Sequence, residues 1–183
     1  MQCKYCQKEF KSEKNFKKHT CIKMKRFYSI NQLEFSFFKS LSKCKTDKDI
    51  DIMFKYISSK YYNQLHEFSI WCKDMNVIEP HEYFKYLLQN NIHVNKWKTE
   101  SMLRNFLYNY LRNEPMALAL KRSQDYLNNN NITINDISSQ RLYLALKNGF
   151  INVKYLKYMN FDYESVLDIN EAEKNVLRYF LEI

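Results

Sequence analysis

The chain is nearly devoid of the two residues that punctuate irregular backbone. Gly149 is its one glycine, and Pro80 and Pro115 are its two prolines, among 183 residues. A phosphate-cradling loop or a dinucleotide fingerprint needs several glycines to bring backbone close to phosphate oxygens, so both are excluded. β-Sandwiches and barrels need a turn residue about every 8–12 positions, and the chain has too few for either. No apolar run approaches the ~20 residues that span a bilayer. The opening MQCKYCQKEF has no apolar stretch of the secretory kind. Five cysteines, an odd number, argue against a disulfide framework in such a chain. No Ser or Cys nucleophile has a recognisable surround, and the neighbours His66 and Glu67 are a pairing common by chance. These absences lead to the expectation of a soluble, intracellular, helical protein that acts without catalysis.

What is abundant is Lys, Asn, Tyr and Phe, at 23, 20, 15 and 13 residues. AT-rich codons favour these amino acids, so total basicity says little and its distribution says more. Residues 1–26 hold nine basic and two acidic side chains, which is +7 of the formal net charge of +9. Codon bias acts along the whole chain and does not explain that asymmetry. A concentrated positive segment attracts polyanions, because each neutralised phosphate releases condensed counterions.

The same segment carries a metal-ligand pattern: Cys3-x-x-Cys6, twelve residues, then His19-x-Cys21. Zinc takes four N/S ligands in a tetrahedron, and C-x-x-C supplies two thiolates from one tight turn. Cys3, Cys6, His19 and Cys21 are therefore the expected ligands, and zinc the expected cofactor. Phe10 and Phe16 fall between the ligand pairs. With them the spacing resembles the two-Cys-two-His zinc finger, in which a short hairpin carries the cysteines and a helix the histidines. That family separates its last two ligands by three to five residues, whereas here only Thr20 intervenes. Residues i and i+2 lie about 200° apart around a helix. The helix should therefore end near His19, and the chain must turn Cys21 back. Cys44 and Cys72 stand alone in apolar patterns and read as buried small hydrophobes.

The finger resemblance places Ser12, Lys14, Asn15 and Lys18 at the helix positions that face a DNA groove. Asn suits adenine edges, and Lys suits guanine or phosphate. Lys17, Lys23, Lys25 and Arg26 suit phosphate contacts. One finger reads only about three base pairs, and single fingers also dock proteins, so both partners stay open.

From residue 31 onward helix signals follow one another. Asn31 caps a segment with Leu33, Phe37, Phe38 and Leu41 inward. Thr46 and Asp49 resemble a capping box ahead of Ile50, Met53, Phe54 and Ile57. Later segments place Leu65, Phe68, Trp71, Cys72 and Met75, then Tyr83, Phe84, Leu87 and Leu88 after Pro80, on apolar stripes. Leu103, Phe106, Leu107, Tyr110 and Leu111 follow Thr99, and Leu118 and Leu120 follow Pro115. The fold expected is all-α, a small N-terminal zinc finger followed by a multi-helix bundle. Its divisions are a finger with basic tail at 1–26, a helical domain at 31–127, and a C-terminal helical subdomain at 132–183, beyond the run Asn128 to Asn131.

In the C-terminal part, helices capped at Ser138 or Ser139 and at Asn152 flank Gly149. They form either a plain helical hairpin, which the thin basic set Lys147, Lys154 and Lys157 favours, or a helix-turn-helix. Asn170 and Glu173 form a capping box for the last helix. There Val176, Leu177, Phe180 and Leu181 fit core packing better than the short terminal tail, built on Tyr179 to Leu181, that would hold a sliding clamp.

Several strings together, CKYCQKEFKSEKNFKKHTC with KMKR, SKYY, NVIEPHEYFKYLLQNNIHVNKW and ISSQRLYLALKNGFINVKYL, resemble an uncharacterised zinc-finger family of large contractile-tailed phages and cyanophages. That family also begins with a short finger ending H-x-C. The resemblance implies a viral source, residence in the host cytoplasm or with the virion, and a zinc site, but no activity. The function expected is a DNA-binding accessory protein in phage replication, recombination or transcription, with a phage or host protein partner, no membrane and no small-molecule substrate. The alternative is a protein-interaction or virion component whose finger docks a protein.

Overall fold

The computed structural model describes residues 1–42 and 48–181, apart from the Tyr179 side chain. Cys44 and the Thr46 cap lie outside the described residues. Within them the chain is all-α, with twelve α-helices, one 3-10 turn and an isolated antiparallel bridge between Gln2 and Glu9. It forms two compact units, Met1–Met75 and Asn76–Ile183. No helix among the described residues is long and apolar enough to cross a membrane.

The first unit holds α1 (Glu13–Lys17), α2 (Ile22–Ser29), α3 (Gln32–Ser42), α4 (Asp49–Ile57) and α5 (Tyr62–Asp74). α3 packs against α4 and α5, and α2 packs against α4. Asn31 starts α3 as expected, its Oδ1 accepting the Glu34 N–H at 2.9 Å. Phe37, Phe38, Leu65, Phe68 and Cys72 are buried. α4 differs from the expected register. Ile52, Tyr56 and Ile57 are buried, while Ile50 is exposed. Tyr56 can enter the core because its hydroxyl donates to the Tyr62 carbonyl at 3.3 Å, which satisfies its polar tip. Glu34 is also fully buried. Its Oε2 lies 2.9 Å from Asn31 Nδ2, 2.6 Å from His66 Nδ1 and 3.3 Å from Ser69 Oγ. Nothing in local sequence announced that network, because its members come from two helices.

The second unit holds α6 (Pro80–Gln89), the 3-10 turn Val94–Lys96, α7 (Glu100–Asn113), α8 (Met116–Asn129), α9 (Ser139–Lys147), α10 (Val153–Tyr158), α11 (Tyr163–Val166) and α12 (Glu171–Leu181). α6 packs on α7, α8 on α10, and α12 on both α7 and α9. Those pairings carry helices from both sides of the Asn128–Asn131 run into one unit. The two compact units divide after Met75. Leu118, expected inward, is exposed. The buried stripe of α8 is Ala119, Ser123 and Leu127. Small side chains there let α10 approach, and Ser123 Oγ accepts the Asn152 N–H at 3.0 Å.

Asparagine takes over a role that glycine has elsewhere. Asn76, Asn91, Asn131 and Asn160 all have φ near +50°, a left-handed conformation that Asn tolerates better than most residues. Three of them end helices in one repeated pattern, Tyr-Leu-x-x-x-Asn-(Ile/Phe). It occurs at Tyr86 to Ile92, Tyr126 to Ile132 and Tyr155 to Phe161. In each, the apolar residue after Asn returns its N–H to the Leu carbonyl: Ile92 to Leu87 at 2.9 Å, Ile132 to Leu127 at 3.1 Å, Phe161 to Leu156 at 2.9 Å. This is the Schellman stop, with Asn in the glycine position.

Ser138 and Asn152 cap α9 and α10 through their side chains, and Gly149 between them has φ +75°. α10 buries Val153, Tyr155 and Leu156. Lys154, one of the outward basic set, donates Nζ to the Arg112 and Glu114 carbonyls at 3.0 and 2.6 Å, closing the end of α7. That arrangement supports the helical hairpin. Asn170 and Glu173 make the expected reciprocal capping box, both bonds 3.0 Å. Leu177 and Phe180 are buried, as packing of the last helix requires and a free clamp tail forbids.

Candidate metal centre and nucleic-acid interface

The site begins as a hairpin of ten residues. The Met1 amino group donates to the Phe10 carbonyl at 3.0 Å, and Phe10 returns its N–H to Met1 O at 2.8 Å. Inside that frame Cys3 N–H donates to Lys8 O at 2.9 Å, and Gln7 N–H to Cys3 O at 2.8 Å. Gln7 takes φ +60° to close the turn. The turn points Cys3 and Cys6 the same way. Ser12 then starts α1, its Oγ accepting the Asn15 N–H at 3.3 Å. α1 lasts five residues and ends at the Lys18 cap, so His19 leaves the helix as expected. Phe10 and Phe16 meet edge to face at 5.8 Å, and Phe10 lies 4.7 Å from the His19 ring. Phe10, Phe16 and the His19 ring thus form a small apolar layer.

Cys21 is brought back by a device that residue spacing alone did not reveal. It is the N-cap of α2, and its Sγ accepts the Met24 N–H at 3.4 Å. The N-cap of a new helix thus lies two residues after His19, which resolves the short H-x-C spacing. The ligand atoms of Cys3, Cys6, His19 and Cys21 all lie within 4.8 Å of one another, with Cys6 Sγ 3.3 Å from His19 Nε2. Three thiols and an imidazole in so small a volume fit one metal ion.

Electrostatics differ among the thiols. Burial pushes Cys3 up, but backbone N–H groups of Cys6 and Tyr5 and the side chains of Cys6 and His19 outweigh it and bring it down from 9.0 to about 6. Burial pushes Cys21 up; the Met24 N–H opposes this, and the nearby Cys6 and Cys3 side chains add to it. Thiolates this close repel one another, and a bound cation relieves that repulsion.

The basic residues do not behave as one set. Lys14, Lys17, Lys18 and Lys25 are exposed and Lys23 is half-buried. Lys17 pairs with Glu13 at 2.7 Å, both well exposed. Ser12 and Asn15 are exposed, but the Ser12 side chain already caps α1. Arg26 departs from the expected phosphate contacts. Its guanidinium donates to Ile57 O at 3.1 Å and to Asn63 Oδ1 at 3.2 Å, and it lies 4.4 Å from the Tyr62 ring centroid. It holds α2 to the rest of its unit.

Sequence reasoning also missed Tyr5, between the two knuckle cysteines. Tyr5 is buried against Phe27 at 5.2 Å and Phe54 at 5.8 Å, and its hydroxyl donates to Tyr28 at 2.8 Å. The finger is thereby part of the first unit rather than a separate module. The available signal was the pattern after Cys21, where Met24, Phe27 and Tyr28 have helical spacing.

Comparisons of the chain with protein-family models, curated protein sequences and solved structures found no match.

Proposed function

We propose that this is a non-enzymatic zinc-finger protein that binds nucleic acid through its N-terminal segment. The observation that carries the reading is the coincidence, in residues 1–26, of a four-donor cluster within 4.8 Å and a +7 charge excess. Cys3, Cys6, His19 and Cys21 would hold the zinc, which supplies folding free energy to a hairpin and helix too small to have a core of their own. Exposed Lys14, Lys17, Lys18 and Lys25 then contact phosphates. DNA in phage replication, recombination or transcription is the setting in keeping with the phage-family resemblance, and the helical units would engage a phage or host protein.

Two measurements test this with the full chain. Metal analysis of protein purified without chelator is expected to give about one zinc per chain, and none after Cys3→Ser with Cys6→Ser. Binding to a labelled duplex is expected to weaken as salt rises. Lys17→Ala with Lys18→Ala is expected to flatten the logarithmic slope by about one unit for each phosphate left without its lysine. A metal-loaded protein that ignores nucleic acid but retains a protein partner after nuclease treatment would mean that the finger docks protein instead.

A further inference from the structure

Tyr28 is 69% exposed on α2, yet its ring is not loose. Its hydroxyl is held by Tyr5, 2.8 Å away. Its centroid lies 5.8 Å from the Tyr5 ring and 5.7 Å from the Phe27 ring, the latter nearly perpendicular at 84°. Tyr5 and Phe27 pack in turn on Phe54. The hydroxyl end of Tyr28 is held, and most of the residue is exposed to solvent.

Single exposed apolar residues are ordinary on protein surfaces. This one differs in its surroundings. Besides Arg26, which is engaged at Ile57 and Asn63, α2 carries Lys23 and Lys25 and no acidic side chain. Lys25 stands one helical turn before Tyr28, within neighbour distance on the helix surface. Lys4 Nζ lies 5.1 Å from the centroid of Tyr5, the ring that clamps Tyr28. Ile22, at the start of the same helix, is 67% exposed. A rigid aromatic face among cations is the equipment of single-strand binding, where bases stack on rings and phosphates follow the charge.

α1 is poorly suited to the other mode. Groove reading by a finger helix uses side chains spread over nearly two turns. Here α1 has five residues, Lys18 already sits at its C-cap, and the Ser12 hydroxyl is occupied by the Asn15 N–H.

Building on the nucleic-acid reading above, we propose that the N-terminal segment takes single-stranded nucleic acid, with the Tyr28 ring stacking on a base and Lys4 and Lys25 on the flanking phosphates. The test is fluorescence anisotropy of the zinc-loaded full chain with two probes. One is a labelled oligothymidine of about 12 nucleotides, within the span of a typical single-strand site. The other is a duplex of equal length. The intact protein is expected to prefer the oligothymidine. Tyr28→Ala is expected to weaken that binding by roughly 5- to 150-fold, the range for losing one base–aromatic stack. It should leave duplex affinity and the salt slope unchanged, while Tyr28→Phe keeps most of the affinity. Tyr28→Leu preserves apolar contact with Phe27 but has no ring, and is expected to match Tyr28→Ala. Wild-type oligothymidine binding by both Tyr28→Ala and Tyr28→Leu, or an equal loss on both probes, overturns the proposal while leaving nucleic-acid binding intact. Failure of the intact chain to bind either probe overturns the nucleic-acid reading itself, and this inference with it.

Discussion

Arg26 lays its guanidinium 4.4 Å from the centroid of the Tyr62 ring and donates to the Ile57 carbonyl beyond it. A residue from the basic tail is thus consumed in joining α2 to the α4–α5 corner. Arg26→Ala removes two charge-assisted hydrogen bonds and a cation–π contact, worth together about 2–3 kcal/mol. The expected outcome is a thermal midpoint lowered by several degrees with an unchanged salt slope for nucleic-acid binding. A slope reduced by a full unit, with stability intact, would return Arg26 to the phosphate-binding set.

The same corner makes truncation a blunt perturbation. Removing residues 1–26 would take away buried Tyr5 as well as Arg26, so weakened binding would be confounded with damage to the first unit. Chelation is cleaner. α1 and α2 are five and eight residues long, so stripping any metal held by the four donors is expected to leave most of the far-ultraviolet circular dichroism. The first unit should nonetheless melt earlier, because Tyr5 loses its fixed position against Phe27 and Phe54. Retained dichroism with an unchanged midpoint would show that the knuckle does not brace that unit.

Cys72 gives a pH-dependent prediction. Burial pushes its thiol up from 9.0 to about 12. In the folded protein it stays protonated at pH 8, where alkylation by iodoacetamide is expected to be slow, and fast once denaturant is added. Because the folded value lies above the unfolded one, the protonated thiol's contribution is complete below about pH 9 and is lost as pH climbs toward about 12. Native-state alkylation of Cys72 at the rate of a free thiol would contradict its burial.

Gly149 is a position where a side chain is excluded on two grounds. Its φ is +75°, and an added Cβ would stand 2.9 Å from Ile78 Cδ1 and 3.3 Å from methyls of Leu107 and Leu111. Left-handed backbone costs an L-residue about 1–2 kcal/mol before crowding is counted. Gly149→Ala is expected to lower the thermal midpoint by several degrees. An unchanged midpoint would mean that the α9–α10 turn relaxes freely.

Phe180 tests the last helix. It is 3% exposed, and α12 packs on α7 and α9. Phe180→Ala is expected to cost about 3–4 kcal/mol, in the range for emptying a buried aromatic site. Full stability with loss of a protein partner would favour a recognition tail.

Much of the chain's architecture was legible in its residues. Scarce glycine and proline with helical spacing of Leu, Phe and Tyr specified an all-α chain. The starts at Asn31, Pro80, Ser138, Asn152 and Asn170 followed from local capping chemistry. The four clustered donors were readable because their spacing, Cys3-x-x-Cys6 and His19-x-Cys21, lies in the sequence itself. The Asn stops were present as a repeated Tyr-Leu-x-x-x-Asn pattern, but codon bias concealed them by making asparagine common everywhere.

What the sequence did not settle depends on which elements meet. Whether Arg26 faces phosphate or Tyr62, whether Lys154 faces solvent or the end of α7, and whether Glu34 is exposed or buried beside His66 are decided by partners from 31 to 42 positions away. The division of the compact units after Met75 goes with α2 seating on α4 and α10 on α8. Local propensity acts over a few residues and fixes where helices start and stop. The burial of a given face, and the task left to a given charge, are set by free energies of contact between elements that only the assembled fold brings together.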